Sequence, residues 1–156
     1  MTKSPPLTGG CQCGAVRFAC DGLGRASICH CRMCQKAFGG YFGPLVTAHG
    51  LRWTRGAPKH WRSSNEVKRG FCNNCGTPLT FEPEGGEVDV AIGAFDEAHA
   101  IAPEIQLARE ARLPSFDQLH TLPLLDDAEG RIAARFARIT SNQHPDHDTP
   151  QWTMKS

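Results

Sequence analysis

Seven of the eight cysteines in this chain of 156 residues fall into three short clusters, and that clustering restricts what the chain can become. The clusters are Cys11-Gln12-Cys13, Cys29-His30-Cys31-Arg32-Met33-Cys34 and Cys72-Asn73-Asn74-Cys75-Gly76, with Cys20 standing alone. Residues 1–10 carry prolines where an export signal needs an apolar run. No stretch approaches the ~18 apolar residues of a membrane helix. The expected location is therefore a reducing cytoplasm, with no membrane partner. Structural disulfides are rare there, so clustered cysteines read as metal ligands or reactive thiols.

Spacing sorts them further. A C-x-x-C on a tight turn aims two thiolates at one point, and Gly76 after Cys75 permits the turn's positive φ. A C-x-C on an extended strand places both sulfurs on one face, because side chains alternate. Cys11 and Cys13 with Cys72 and Cys75 would make a closed four-thiolate zinc site. Cys29, Cys31 and Cys34 would then form a three-ligand set, the number a catalytic zinc keeps beside its exchangeable position. Cys31 and Cys34 could open a helical turn, whose free N–H groups favour thiolate. Pairing Cys31-x-x-Cys34 with Cys72-x-x-Cys75 is an equally legal four-thiolate set on the residues alone, although the gap exceeds usual zinc-ribbon spacing. A thioredoxin-like role for C-R-M-C lacks the βαβ context. Cys20 reads as a small buried hydrophobe. His30 alternates with its neighbours, so it should face away from their metal and pack elsewhere.

The pattern between the clusters is one of short strands. Ala15–Cys20 alternates with Val16, Phe18 and Cys20 on one face; Arg25–Cys31, Tyr41–Thr47, Leu79–Glu82, Glu87–Ile92 and Ile105–Arg109 follow as strand candidates. Arg32–Phe38 reads as a short helix ended by Gly39-Gly40, and Ala128–Ile139 as a second. From Ser141 onward the chain is polar and proline-punctuated, the composition of a loose tail. The expectation is one mostly β domain over residues 1–125, followed by a C-terminal helix and polar tail over 126–156. A formal net charge of +1 omits the basic footprint of a nucleic-acid binder.

Three motifs in this order carry a family resemblance. Gly10-Cys11-Gln12-Cys13-Gly14-Ala15-Val16-Arg17-Phe18, then Cys29-His30-Cys31-Arg32-Met33-Cys34-Gln35-Lys36 with Gly39, then Arg69-Gly70-Phe71-Cys72-Asn73-Asn74-Cys75-Gly76-Thr77-Pro78-Leu79 resemble the glutathione-dependent formaldehyde-activating enzyme family. Ile92-Gly93-Ala94-Phe95-Asp96 is a weaker echo, and the likeness covers roughly residues 7 to 110. It implies a zinc β-tent fold of short antiparallel strands. It also implies two zincs per chain, a structural one on Cys11, Cys13, Cys72 and Cys75 and a catalytic one on Cys29, Cys31 and Cys34. The implied activity is a carbon–sulfur lyase joining glutathione to formaldehyde as S-hydroxymethylglutathione, the incoming thiol losing its proton at the open position.

Glutathione is a net anion, so Arg52, Arg55, Lys59, Arg62, Lys68 and above all Lys36 and Arg69 are candidates for its carboxylates. An ordinary solvated face is the competing reading of that basic run. Two other functions share these cysteines: a glutathione or thiol carrier, and a non-catalytic zinc module of the kind represented in the family by a eukaryotic centromere-associated member.

Overall fold

The computed structural model describes residues 5–155. Ten short strands form two sheets. The small sheet holds β1 (Leu7–Gly10), β2 (Arg17–Cys20) and β5 (Arg52–Arg55), in the order β1-β2-β5. The large sheet holds β3 (Gly22–Cys29), β4 (Gly43–His49), β6 (Lys59–Arg62), β7 (Val67–Phe71), β8 (Pro78–Pro83), β9 (Asp89–Ala91) and β10 (Ile105–Leu107), in the order β10-β3-β4-β9-β8-β7-β6. Every pairing is antiparallel except β10 on β3. The mostly β expectation therefore holds, with that one parallel edge strand as an addition.

The two sheets share one core. Phe18 and Cys20 of β2 are fully buried with Val46 of β4, Leu79 of β8 and Val90 of β9. Edge-to-face contacts fix the Phe18 ring, with centroids 5.0 Å from Phe95 and 6.1 Å from Trp53. Such T-shaped pairs add to the burial of the rings themselves. Cys20 lies in this core, as its alternation predicts.

Helix α1 (Arg32–Phe38) occupies the span its sequence predicts. Cys31 is its N-cap, its sulfur accepting from the Cys34 amide, and Gly39 closes it in the left-handed conformation at φ 61°. Helix α2 is shorter than expected, Arg131–Phe136 rather than Ala128–Ile139. Gly130 adopts φ 65° before it, and the Asp127 carboxylate accepts from the Ile132 and Ala133 amides, fixing where the helix starts. Strands β1, β5, β6 and β7 were not expected. The Gly-Gly end of β1 and the run of charge in β7 hide their alternation.

The segment after Ser141 is not a loose tail. His144 donates its amide to the Gln12 carbonyl at 2.8 Å, and the Trp152 indole N–H donates to the Cys13 carbonyl at 2.8 Å. His144 itself is buried. Composition concealed this, because the partners that hold the segment down, Gln12, Cys13, Arg17 and Arg55, lie more than 80 residues away.

Candidate metal centres

The four-cysteine set is built by two turns that face one another. Cys11 and Cys13 lie in the loop between β1 and β2, not on a strand, which corrects the extended C-x-C expectation. The turn closes through Gly14 N–H to the Cys11 carbonyl, with Gly14 at φ 75°. Cys72 and Cys75 lie in the loop between β7 and β8, where Gly76 takes φ 76° and donates to the Cys72 carbonyl at 2.9 Å. Gln12 N–H to Thr77 Oγ1 (3.0 Å) ties the loops together.

All four sulfurs lie within 4.8 Å of one another, with Cys11–Cys13 at 3.6 Å and Cys13–Cys72 at 3.8 Å. Sulfurs held tetrahedrally at ~2.3 Å from one zinc stand ~3.8 Å apart, so the donor set fits that ion. No cysteine is in a disulfide. Burial pushes the Cys11 thiol up to about 12. At Cys75 burial acts in the same direction, but the Thr77 hydroxyl and backbone donors outweigh it and bring the thiol down to about 6. Cys75 is thus a readier thiolate than Cys11 or Cys72, both of which burial raises.

Cys29, Cys31 and Cys34 form the second set, their sulfurs again within 4.8 Å. Cys29 ends β3, Cys31 caps α1 and Cys34 lies in its first turn. Among the described residues, no fourth His, Cys, Asp or Glu completes this group. Burial raises Cys31, yet the Cys34 and Met33 amides and the neighbouring thiols leave it lowered overall. Cys34 is buried, which pushes it up to about 12 against the hydrogen bond and charge of Arg69. Both sets can bind zinc. Their membership settles the alternative pairings left open by spacing: Cys31 and Cys34 do not join Cys72 and Cys75.

His30 turns away, as its alternation predicts. It is wholly buried, its ring 4.8 Å from that of Phe116 and its Nε2 3.0 Å from Gln106 Oε1. Gln35, also buried, donates to the His30 carbonyl and to the Ala111 carbonyl, anchoring α1 to the chain beyond β10.

The basic run disperses on folding. Arg52 pairs with Asp21, Arg62 with Glu84 and Lys68 with Glu82, while Arg55 donates to the Gly14 and Thr149 carbonyls. Arg69 is buried; its Nη2 donates to Cys34 Sγ at 3.4 Å, its Nε to Ser63 Oγ, and its guanidinium lies 5.0 Å from the Phe81 ring centre. Lys36 is exposed on α1. Lys36 and Arg69 meet at one cleft of about 460 Å³, which runs from α1 to Gly76 and Pro78.

Sequence reasoning missed Arg17. It is buried and forks onto Asp96 (2.8 and 2.6 Å), and it also contacts Asp148 at 2.6 Å. Burial raises the Asp96 carboxyl, but Arg17 and the Thr8 hydroxyl prevail and hold it below the usual range. Asp96→Asn should cost about 3 kcal/mol, because a buried cation loses its fork partner. A folded-state pKa below the unfolded one stabilises above pH ~4 and is lost as acid protonates Asp96. Urea melts should therefore show the gap between wild type and Asp96→Asn narrowing below pH 4; a constant gap would refute the assignment.

The C-terminal strap lies on the Cys11–Cys13 turn. A side chain added at Gly14 would collide with both the His144 and Trp152 rings, so the turn and the strap fit each other closely. Ending the chain at residue 142 should lower the melting temperature by several degrees. It should also open the turn, read as a several-fold faster removal of the closed cluster's metal by a chelator from the zinc-loaded chain. An unchanged rate would show that the strap does not guard the turn.

Taken together, the molecule is a mostly β protein with a closed four-cysteine cluster and a separate three-cysteine cluster opening an α-helix. A model of the glutathione-dependent formaldehyde-activating enzyme family matches residues 6–110, and the chain belongs to that family. That match contains all seven clustered cysteines, Lys36, Arg69 and Asp96, whereas Asp148 and the strap lie beyond it. A crystal structure of a Rhodobacter sphaeroides protein has a similar fold, with TM-score 0.50 and 22% identity over 65% of this chain and 99% of that one. No described helix is long and apolar enough to cross a membrane.

Proposed function

We propose that the protein is a cytoplasmic, zinc-dependent carbon–sulfur lyase that joins a thiol to a small aldehyde, with glutathione and formaldehyde as the reference pair. The observation that carries this reading is the contrast between the two clusters, four cysteines with a complete donor set and three with one position left over. Cys29, Cys31 and Cys34 would hold a zinc ion, which would supply a Lewis acid able to keep a thiol deprotonated at neutral pH. The reaction needs no oxidant: sulfur attacks the carbonyl carbon, the C–S bond forms as the C=O π bond breaks, and the proton released from sulfur ends on oxygen. Holding the two reactants together supplies much of the acceleration.

Arg69 has a different task from the carboxylate clamp expected of it. Its buried guanidinium donates to Cys34 Sγ and balances thiolate charge at the open cluster. A further thiolate adds one more negative charge there, and a fixed cation at 3.4 Å from one sulfur offsets it. Arg69→Met should cut kcat/KM by about 10–100-fold, with Arg69→Lys partly restoring it. Cobalt in place of zinc gives an independent readout. The thiolate-to-cobalt charge-transfer band should move in Arg69→Met and return toward wild type in Arg69→Lys, and a band unmoved in both would remove Arg69 from this role.

Zinc content and formaldehyde turnover test the reading as a whole. Two zincs in the wild type, one in Cys29→Ser, and S-hydroxymethylglutathione formation lost with the second zinc are the expected results. Glutathione binding without turnover would make the protein a carrier. One zinc throughout would leave a non-catalytic module.

A further inference from the structure

The cleft beside the open cluster is built for a different substrate body than a tripeptide. Two of its walls touch the surroundings of Cys34: Arg69 contacts the sulfur itself, and a side chain at Gly43 would strike both the Phe38 ring and Cys34 Cβ. Trp61, the cross-strand neighbour of Arg69 and so on the same face of the sheet, continues that wall and is left 64% exposed. Met33, Phe38, Phe71 and Pro78 add apolar surface.

The polar groups in this lining are nearly all committed. Arg69 is held by Cys34 and Ser63, Thr80 Oγ1 donates to Glu82 while accepting from the Gly70 amide, and Ser63 Oγ donates to the Val67 carbonyl. Lys36 alone brings an ammonium to the lining with no carboxylate paired to it among the described residues. Glutathione presents two carboxylates, an ammonium and two amides. In this cleft most of those groups would lose water without gaining partners, a loss that apolar contact does not repay.

We propose that the preferred thiol of this protein carries an apolar, ring-sized body and a single carboxylate, the body lying against Trp61 and α1 and the carboxylate meeting Lys36. This deepens the thiol–aldehyde reading and rests on it for the word thiol, whereas the cleft's preference stands on the lining alone. A volume of about 460 Å³ suits a small ligand of that size.

The test uses the full zinc-loaded chain and two ligands that cannot react, 3-phenylpropionate and S-methylglutathione, followed by calorimetric titration. The phenyl acid should bind at least about tenfold more tightly than S-methylglutathione. Trp61→Ala and Lys36→Gln should each weaken it by about tenfold, the scale of one lost ring contact or one charge-assisted hydrogen bond. Both side chains are exposed, so the variants should keep the wild-type circular dichroism, and Trp61→Phe should retain most of the affinity. No binding of the phenyl acid, tighter binding of S-methylglutathione, or affinity unchanged in Trp61→Ala and Lys36→Gln would overturn the proposal. Because 3-phenylpropionate contains no sulfur, its binding stands even if formaldehyde turnover is absent. The two readings therefore fail separately.

Discussion

Replacing Cys72 by Ser is expected to leave a chain without a cooperative thermal transition. Cys72 is buried in the core cluster beside Cys11, and its turn joins β7 to β8 in the large sheet. Its sulfur belongs to the four-cysteine set that, with zinc bound, would staple this turn to the β1–β2 loop, some 60 residues earlier. Structural zinc contributes about 10–16 kcal/mol in small zinc domains at neutral pH, as much as the whole stability of an ordinary fold at about 5–15 kcal/mol. Serine offers a poor ligand and places a hydroxyl among apolar side chains. Circular dichroism melts with parallel zinc analysis read the outcome. A wild-type melting temperature with zinc content unchanged would mean that the four thiols are not the staple.

Cys31→Ser should have the opposite profile: a fold left nearly intact and a reaction lost. Cys31 is half-buried at the edge of the structure, and its sulfur caps α1 by accepting from the Cys34 amide. Serine is among the best N-caps, so the helix should lose less than about 1 kcal/mol. The open cluster, however, falls to two sulfurs, too few to hold a catalytic zinc. Adduct formation above the uncatalysed background should fall by at least about 100-fold, with the melting temperature within a few degrees of wild type. Retained turnover in the folded variant would move the chemistry away from Cys29, Cys31 and Cys34. Read together, the two variants would separate a cluster that builds the protein from a cluster that carries the proposed reaction.

Much of this architecture is legible in the sequence because its determinants are local. Helix α1 is bounded by a capping side chain and a pair of glycines, and Gly76 reports the turn that Cys72 and Cys75 share. Apart from the four-cysteine set, what escaped was chiefly what has its partner far along the chain. Alternation placed Arg17 opposite Val16 and Phe18, on a face that ought to be wet. Asp96, 79 residues later, and Asp148, 131 residues later, make that face dry enough to bury a guanidinium. Arg69 stands in a basic run and reads as a candidate for glutathione's carboxylates, yet β7 aims it inward at Cys34. The C-x-C was assigned to a strand for the same reason. Side-chain alternation is a property of extended backbone, and nothing before Gly14 announces that the chain has already turned.

The strap gives the order of chain synthesis a consequence for metal entry. All four cysteines of the closed cluster have been made once residue 75 leaves the ribosome, whereas His144 and Trp152 follow about 70 residues later. At ~5–20 residues per second, that interval lasts a few seconds or more. Throughout it, the Cys11–Cys13 turn lacks the cover that His144 and Trp152 give it in the folded chain. An ion bound in this interval would meet a turn that His144 and Trp152 do not yet cover, whereas in the folded chain both rings lie against Gly14. Uptake would then precede the cover and loss would follow it, and the residues that make the difference lie outside the segment the family model matches.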